Sequence, residues 1–350
     1  MRKVLLLLLP FMFLIAANVS GSNSAFSLTQ VRTLPTFGKL SPSPIVSPPR
    51  PEPDESEHFN DLRFGVVSDI HVRSIDSMAQ HKFVQMLSDM EKLKVSDLVI
   101  NGDLGDGMTQ DYTALEKLTQ RQNNGPKIYY TIGNHEFYKA YHNPITNAWS
   151  PETFPNGETD DAALHRFLDF TKRSKIFYDE YLKSYHFIFL GSEKSAITDQ
   201  SYGDRAYLSE EQLGWLKSKL KENYSPGKPI FVFLHQPLLK LGSTLNRPDF
   251  VIQADRLREI LNQFPEVIFF TGHIHRQLKL PTTILKEEFI MVNSSSVALP
   301  RDVNGQALPN QSEGLVVEVV ENKVSIKGRD FLSKTWIPEM QYKVLTQLLP

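Results

Sequence analysis

Five stretches of this chain share one pattern: an apolar run, rich in β-branched and aromatic residues, that stops abruptly at polar residues. They are RFGVVSDIH (63–71), DLVINGD (97–103), KIYYTIGNH (127–135), IFVFLH (230–235) and EVIFFTGHIH (266–275). Short continuous apolar runs of this kind predict strands covered on both faces. Between them, apolar positions recur at helical spacing over 76–95, 208–223 and 254–264, and a further helix is expected over 160–175. Ser209 followed by Gln212, just ahead of Leu213, Leu216 and Leu220, has the layout of a capping box. Residues 314–331 predict a hairpin turning at Glu321 to Lys323, and 138–185 reads as an insertion rich in aromatic and polar residues.

Strands alternating with helices predict an α/β domain, in which ligands bind beyond the carboxyl ends of the strands. The five polar clusters then gather at one edge. They bring Asp69, His71, Asp103, Asn134, His135, His235, His273 and His275, among them five of the ten histidines of the chain. Imidazole, carboxylate and amide oxygen without thiolate suit Mn, Fe or Zn as divalent ions. The ligands are too many for one ion and a reasonable number for two, which would need a bridging group with two usable oxygens. Asp103 is the candidate bridge, since Gly102 before it lets the backbone approach the ions. In an extended segment residues i and i+2 project to one side, so Asp69 and His71 are expected to act together, as are His273 and His275. One ion taking both members of a pair and two ions sharing it remain equally open on spacing.

Composition narrows the setting. The chain has 350 residues, 41% hydrophobic and 22% charged, the balance of a globular protein, and its formal net charge of -2 does not suggest a nucleic-acid-binding surface. Arg2 and Lys3, an apolar run from Val4 to Ala17 and then small polar residues lay out a signal peptide over 1–25, cleaved after Gly21 or Ala25. An uncleaved anchor is the alternative, but the run is short for a span and Pro10 interrupts it, so no membrane span is expected in the mature chain. Residues 26–60, with seven prolines and no apolar period, read as an extended linker, and the folded domain is expected over 61–340. Without cysteine the exported chain carries no disulfide.

The ordered set DIH, GDLGDG, GNHE, LHQP and GHIH resembles the signature of the calcineurin-like metallophosphoesterases, directly over about residues 63–276. The resemblance implies a four-layer α/β/β/α sandwich of two mixed sheets flanked by helices. It implies that Asp69, His71 and His275 hold one metal, that Asn134, His235 and His273 hold a second, and that Asp103 bridges. His135 matches the family's histidine that contacts the phosphoryl group or protonates the leaving oxygen, and Asp106 stands where some members carry the aspartate that orients it. Residues 203–220 are similar to a segment of the branch that includes class III cyclic-nucleotide phosphodiesterases and purple acid phosphatases. The purple enzymes carry an iron-binding tyrosine where this chain has Asp106, so no purple chromophore is expected.

Two divalent ions against Asp69, Asp103 and one hydroxide would leave the centre at about one positive charge, which favours an anionic phosphate ester, small or exposed on a larger molecule. The expected activity is secreted hydrolysis of phosphodiesters, with monoesters as further substrates, by attack of a metal-bridging hydroxide, with His135 supplying the leaving-group proton. A secreted phosphomonoesterase for phosphate scavenging is the alternative, and a non-catalytic binding protein on the same fold a weaker one, because no ligand position is missing. Among the remaining histidines, His142 is a candidate for substrate contact, together with Tyr138 and Tyr141.

Overall fold

The computed structural model describes residues 62–121, 125–239 and 249–344. The signal peptide expected over 1–25 and the linker over 26–60 lie outside the described residues. In chain order the elements are β1 (Leu62–Val67), α1 (Ser77–Lys92), β2 (Asp97–Asn101), α2 (Thr109–Gln120), β3 (Lys127–Thr131), α3 (Asp160–Thr171), β4 (Tyr178–Leu182), β5 (Tyr185–Phe189) and α4 (Glu210–Lys221). There follow β6 (Ile230–Phe233), α5 (Ala254–Leu261), β7 (Val267–Thr271), β8 (Ile284–Lys286), β9 (Ile290–Asn293), β10 (Glu313–Val320), β11 (Lys323–Asp330) and β12 (Thr335–Val344).

The strands form two six-stranded mixed sheets, ordered β12-β11-β10-β1-β2-β3 and β4-β5-β6-β7-β9-β8. The five strands expected from the apolar runs are β1, β2 and β3, parallel in the first sheet, and β6 and β7, parallel in the second. Their composition follows from double coverage. In β1, Phe64 and Val66 enter the core between the sheets, where the Phe64 ring meets Phe187 and Phe231 edge-on at 4.9 and 5.0 Å, while Val67 faces the helical side. Helices α1, α2 and α3 bury Phe83, Met86, Leu115 and Phe167 on one outer face, and α4 and α5 bury Leu213, Leu216 and Leu257 on the other. The result is the four-layer α/β/β/α order.

Several local expectations are corrected. Ser209 caps α4 by accepting from Gln212 N at 3.1 Å, but the reciprocal half of the capping box is absent. Gln212 is fully buried and spends its amide on both backbone groups of Gly191, while Ser209 N–H donates to Glu193. The hairpin turns on Glu321 and Asn322 alone, both with positive φ as a two-residue hairpin turn requires, and Lys323 already pairs with Val320. The expected insertion is only partly one. Its helix ends at Thr171 with left-handed Lys172, and 178–182 forms β4, a half-exposed edge strand whose alternation is too short to stand out. Helix α2, which no pattern predicted, lacks a side-chain N-cap.

Candidate active site

The side chains at the strand ends converge, and a staple beneath them joins the sheets. Asn101, the last residue of β2, donates from Nδ2 to Leu234 O and Phe270 O at 3.1 Å each and accepts from Thr131 Oγ1 at 2.7 Å, so the ends of β2, β3, β6 and β7 are tied at one point. Glu136, also buried, accepts from Gly133 N (2.6 Å), Asp103 N (3.1 Å) and Leu104 N (2.8 Å) and fixes the two turns against each other. Neither residue was marked as functional by the sequence pattern, although Glu136 closes the GNHE motif. Burial and then Asp103 push the Glu136 carboxyl up to about 7.

Asp69, His71, Asp103 and His275 present ligand atoms within 4.8 Å of one another, as do Asp103, His235 and His273. His71 Nε2 and His275 Nε2 stand 3.2 Å apart, and His275 Nε2 lies 2.9 Å from Asp69 Oδ1. His235 Nε2 lies 3.1 Å from Asp103 Oδ2, and His273 Nδ1 lies 2.9 Å from Asn134 Oδ1. The paired residues do not converge by strand alternation, as the sequence suggested. Asp69, His71, Asp103, His273 and His275 all have left-handed backbones, with φ between 41° and 69°. Such conformations cost of order 1–3 kcal/mol each and concentrate at functional sites. Gly102 also serves differently from expectation: a Cβ there would meet His235 Nδ1 at 2.5 Å, so the glycine makes room for a ring rather than for an ion.

Outer partners fix the rings. Nδ1–H of His235 donates to Asn101 O (2.8 Å) and that of His275 to Leu299 O (2.9 Å), which turns each Nε2 toward the centre. Asp69 Oδ2 accepts from His273 N at 3.0 Å and from Ser68 Oγ, leaving Oδ1 directed inward. Burial raises the Asp69 carboxyl, but His275 and His235 outweigh it and hold the group at about 2. Burial and His135 push His71 down to about 3, and burial and His235 take His273 to about 4, so both rings offer lone pairs at neutral pH. Burial lowers His235, yet Asp103 and Asp69 raise it to about 10, so in the metal-free chain the ring is held protonated beside two carboxylates. A divalent cation would replace that proton. Asp69 Oδ1 and His235 Nε2 are buried and make no hydrogen bond, and oxygen and imidazole donors around two buried carboxylates fit divalent ions.

Beside this cluster His135 Nδ1 lies 2.9 Å from Asp106 Oδ1, and His135 Nε2 lies 3.9 Å from Asp103 Oδ2. Arg73 Nη1 and His142 Nε2 approach the other oxygen of Asp106 at 3.5 and 4.0 Å. The His135 ring stacks on Tyr138 at 3.9 Å, and Tyr138 Oη accepts from Asn134 Nδ2 (3.2 Å) while donating to Asp204 (2.9 Å). All of these except His142 open on a cleft of about 490 Å³ lined also by Leu299 and Arg301. Of the aromatic candidates, Tyr138 lines the cleft, while Tyr141 stands behind it, stacked on Trp149 at 5.0 Å.

Two mixed sheets with an oxygen- and imidazole-rich centre at their joined strand ends define a metal-dependent hydrolase. The family model of the calcineurin-like phosphoesterases matches residues 62–277, and the chain belongs to that family as a metal-dependent phosphoester hydrolase. Among solved structures it is similar to a dimetal phosphatase from Danio rerio, with TM-score 0.58 and 13% identity over 82% of this chain and 99% of that one. It is also similar to a purple acid phosphatase from yellow lupin (Lupinus luteus) seeds, with TM-score 0.52 and 12% identity over 81% of this chain and 53% of that one. At these identities the likeness is one of fold. No curated protein matches the sequence.

Proposed function

We propose that the chain is an exported dinuclear phosphodiesterase. Asp69, His71 and His275 would hold one ion and Asn134, His235 and His273 the other, with Asp103 placed to serve both. When bound, the ions supply an acidified water for attack on phosphorus and positive charge for the phosphoryl oxygens. Asp106 holds His135 by its Nδ1, so the Nε2 proton points to the centre, where the leaving oxygen needs it. Tyr138 fixes the Asn134 amide: with Nδ2 committed to the phenol oxygen, Oδ1 faces His273 and the second ion. Tyr138→Phe is therefore expected to weaken binding of that ion by about 10–100-fold in calorimetric titration, with the first ion unaffected. Equal affinities in the variant would reduce Tyr138 to a packing residue.

The observation that carries the diester preference is the state of the cations lining the cleft. Among the described residues, Arg73 is engaged by Asp76 and Asp106, Lys82 by the carbonyls of Ala298 and Gln311, and Arg301 by Gly305 O. Arg73 is thus paired with two carboxylates, Lys82 and Arg301 are turned to carbonyls, and Asp204 adds a further carboxylate to the wall. Together these weigh against the second negative charge of a monoester. Export rests on the Arg2-Lys3 start and the apolar run that follows. The fold neighbours bear the names of phosphatases, which makes a monoester the proper competitor. Metal content and hydrolysis of a diester, a monoester and a cyclic nucleotide test the reading: two ions per chain and faster diester turnover are expected. A protein that takes up no metal and hydrolyses nothing with added Mn would refute it.

A further inference from the structure

The wall of the cleft beside His71 and His275 is made by two segments, 72–79, which runs into the first turn of α1, and 298–309. Ile75 is 87% exposed, Met78 61% and Val303 60%, so these segments carry three of the nine large apolar side chains that stand exposed among the described residues. Met78 and Leu299 line the cleft itself, with Ala79 and Pro309. Scattered exposed apolar residues need no explanation, but Met78 and Leu299 stand in the lining of a reaction centre, with Ile75 and Val303 exposed on the same segments outside it. The wall is also fixed in place. Lys82 Nζ joins α1 to the second segment through Ala298 O (2.6 Å) and Gln311 O (2.8 Å), and Ala298 N donates to Asp69 O at 3.2 Å. Charged Arg73, Asp76, Lys82 and Arg301 line the cleft on or next to the same segments, Arg73 paired with Asp76 and Lys82 and Arg301 turned to backbone carbonyls. Asn134, Tyr138 and Asp204 complete the lining.

A phosphate ester with its phosphoryl group at the centre must lay its organic groups along these walls. We infer that the substrate is an amphiphilic phosphodiester, one of whose ester groups is an apolar chain running along Met78, Ala79, Leu299 and Pro309 toward Ile75 and Val303. The inference rests on the diester reading and names the substrate class within it. Alkyl 4-nitrophenyl phosphodiesters with methyl, butyl and octyl groups, all kept below their aggregation concentrations, test it. In the wild-type protein kcat/KM is expected to rise with chain length, by up to about fourfold per methylene if burial is complete. Met78→Gln combined with Val303→Gln, both at exposed positions, is expected to flatten that rise, lowering kcat/KM for the octyl diester far more than for the methyl diester.

A flat series in the wild type, or a rise that survives in the double variant, overturns the inference. So does a gain confined to concentrations above aggregation, which would mean docking on a lipid surface instead of uptake of one chain. If even the methyl diester is not hydrolysed, it is the diester reading that fails. The wall is then read by titrating metal-loaded protein with methyl and octyl phosphate. Tighter binding of the octyl compound, lost in the double variant, upholds the wall, and equal binding refutes it.

Discussion

His135→Ala is expected to fold and keep its ions while losing about 10²–10⁴ in turnover of a diester with an alkoxide leaving group. The substitution spares what His135 does structurally, because the bond that positions Asp103 comes from the backbone: His135 N donates to Asp103 Oδ1 at 3.0 Å. What is lost is the ring, tethered to Asp106 and stacked on Tyr138. In the metal-free protein burial lowers the pKa of that ring, but Asp103 and Asp106 more than compensate and hold it above the ordinary histidine value. With ions on Asp103, the Asp106 bond remains to hold the proton. A general acid must carry its proton, so activity should fall on the alkaline side as the ring deprotonates. Asp106→Asn should move that alkaline limb to lower pH. A 4-nitrophenolate leaves without protonation, so on such an ester the His135→Ala loss should shrink. Equal losses on both esters would place His135 on the phosphoryl oxygens instead.

How much of this was legible depended on whether a residue's partners were near in sequence. The strands announced themselves because burial on both faces makes β1, β2, β6 and β7 continuous apolar runs, each ending at its polar cluster. Strand β3, at the edge of its sheet, is only partly covered and keeps an exposed Lys127. Asn101 was invisible because its partners Leu234 and Phe270 are 133 and 169 positions away, on a sheet whose docking no local pattern encodes. Glu136 and Tyr138 follow a motif histidine, yet their roles exist only once Gly133, Leu104 and Asp204 are brought to them. The i, i+2 argument paired Asp69 with His71, whose side chains lie 4.0 Å apart, and His273 with His275, which fall in separate ligand groups. Left-handed turns rather than strand alternation place all four. Gln212 shows the reverse failure: a local rule, the capping box, yielded to a tertiary demand from buried backbone at Gly191.

Asp103→Asn should have the largest effect on the ions, because both proposed half-sites share that carboxylate. The variant keeps an amide oxygen for His135 N–H but lacks the charge and the second anionic oxygen that faces His235 Nε2 at 3.1 Å. Affinity for both ions is expected to fall by more than the roughly 10–100-fold that loss of an outer partner costs, and hydrolysis with it. His273→Ala, by contrast, should empty one half alone. The metal-free protein gives a second readout. Burial raises the Asp103 carboxyl, but His235 and His135 hold it well below its ordinary value. Its contribution to stability is thus present above about pH 4 and lost as pH falls through the folded value. Removing one partner of a buried ion pair costs about 3–5 kcal/mol, and here the loss is moderated because Asp69 Oδ1 remains 3.9 Å from His235. The variant should therefore melt earlier at neutral pH and lose less further stability in acid than the wild type. One ion per chain bound at wild-type affinity in Asp103→Asn would mean that Asp103 serves a single ion, and the bridge would have to be sought elsewhere.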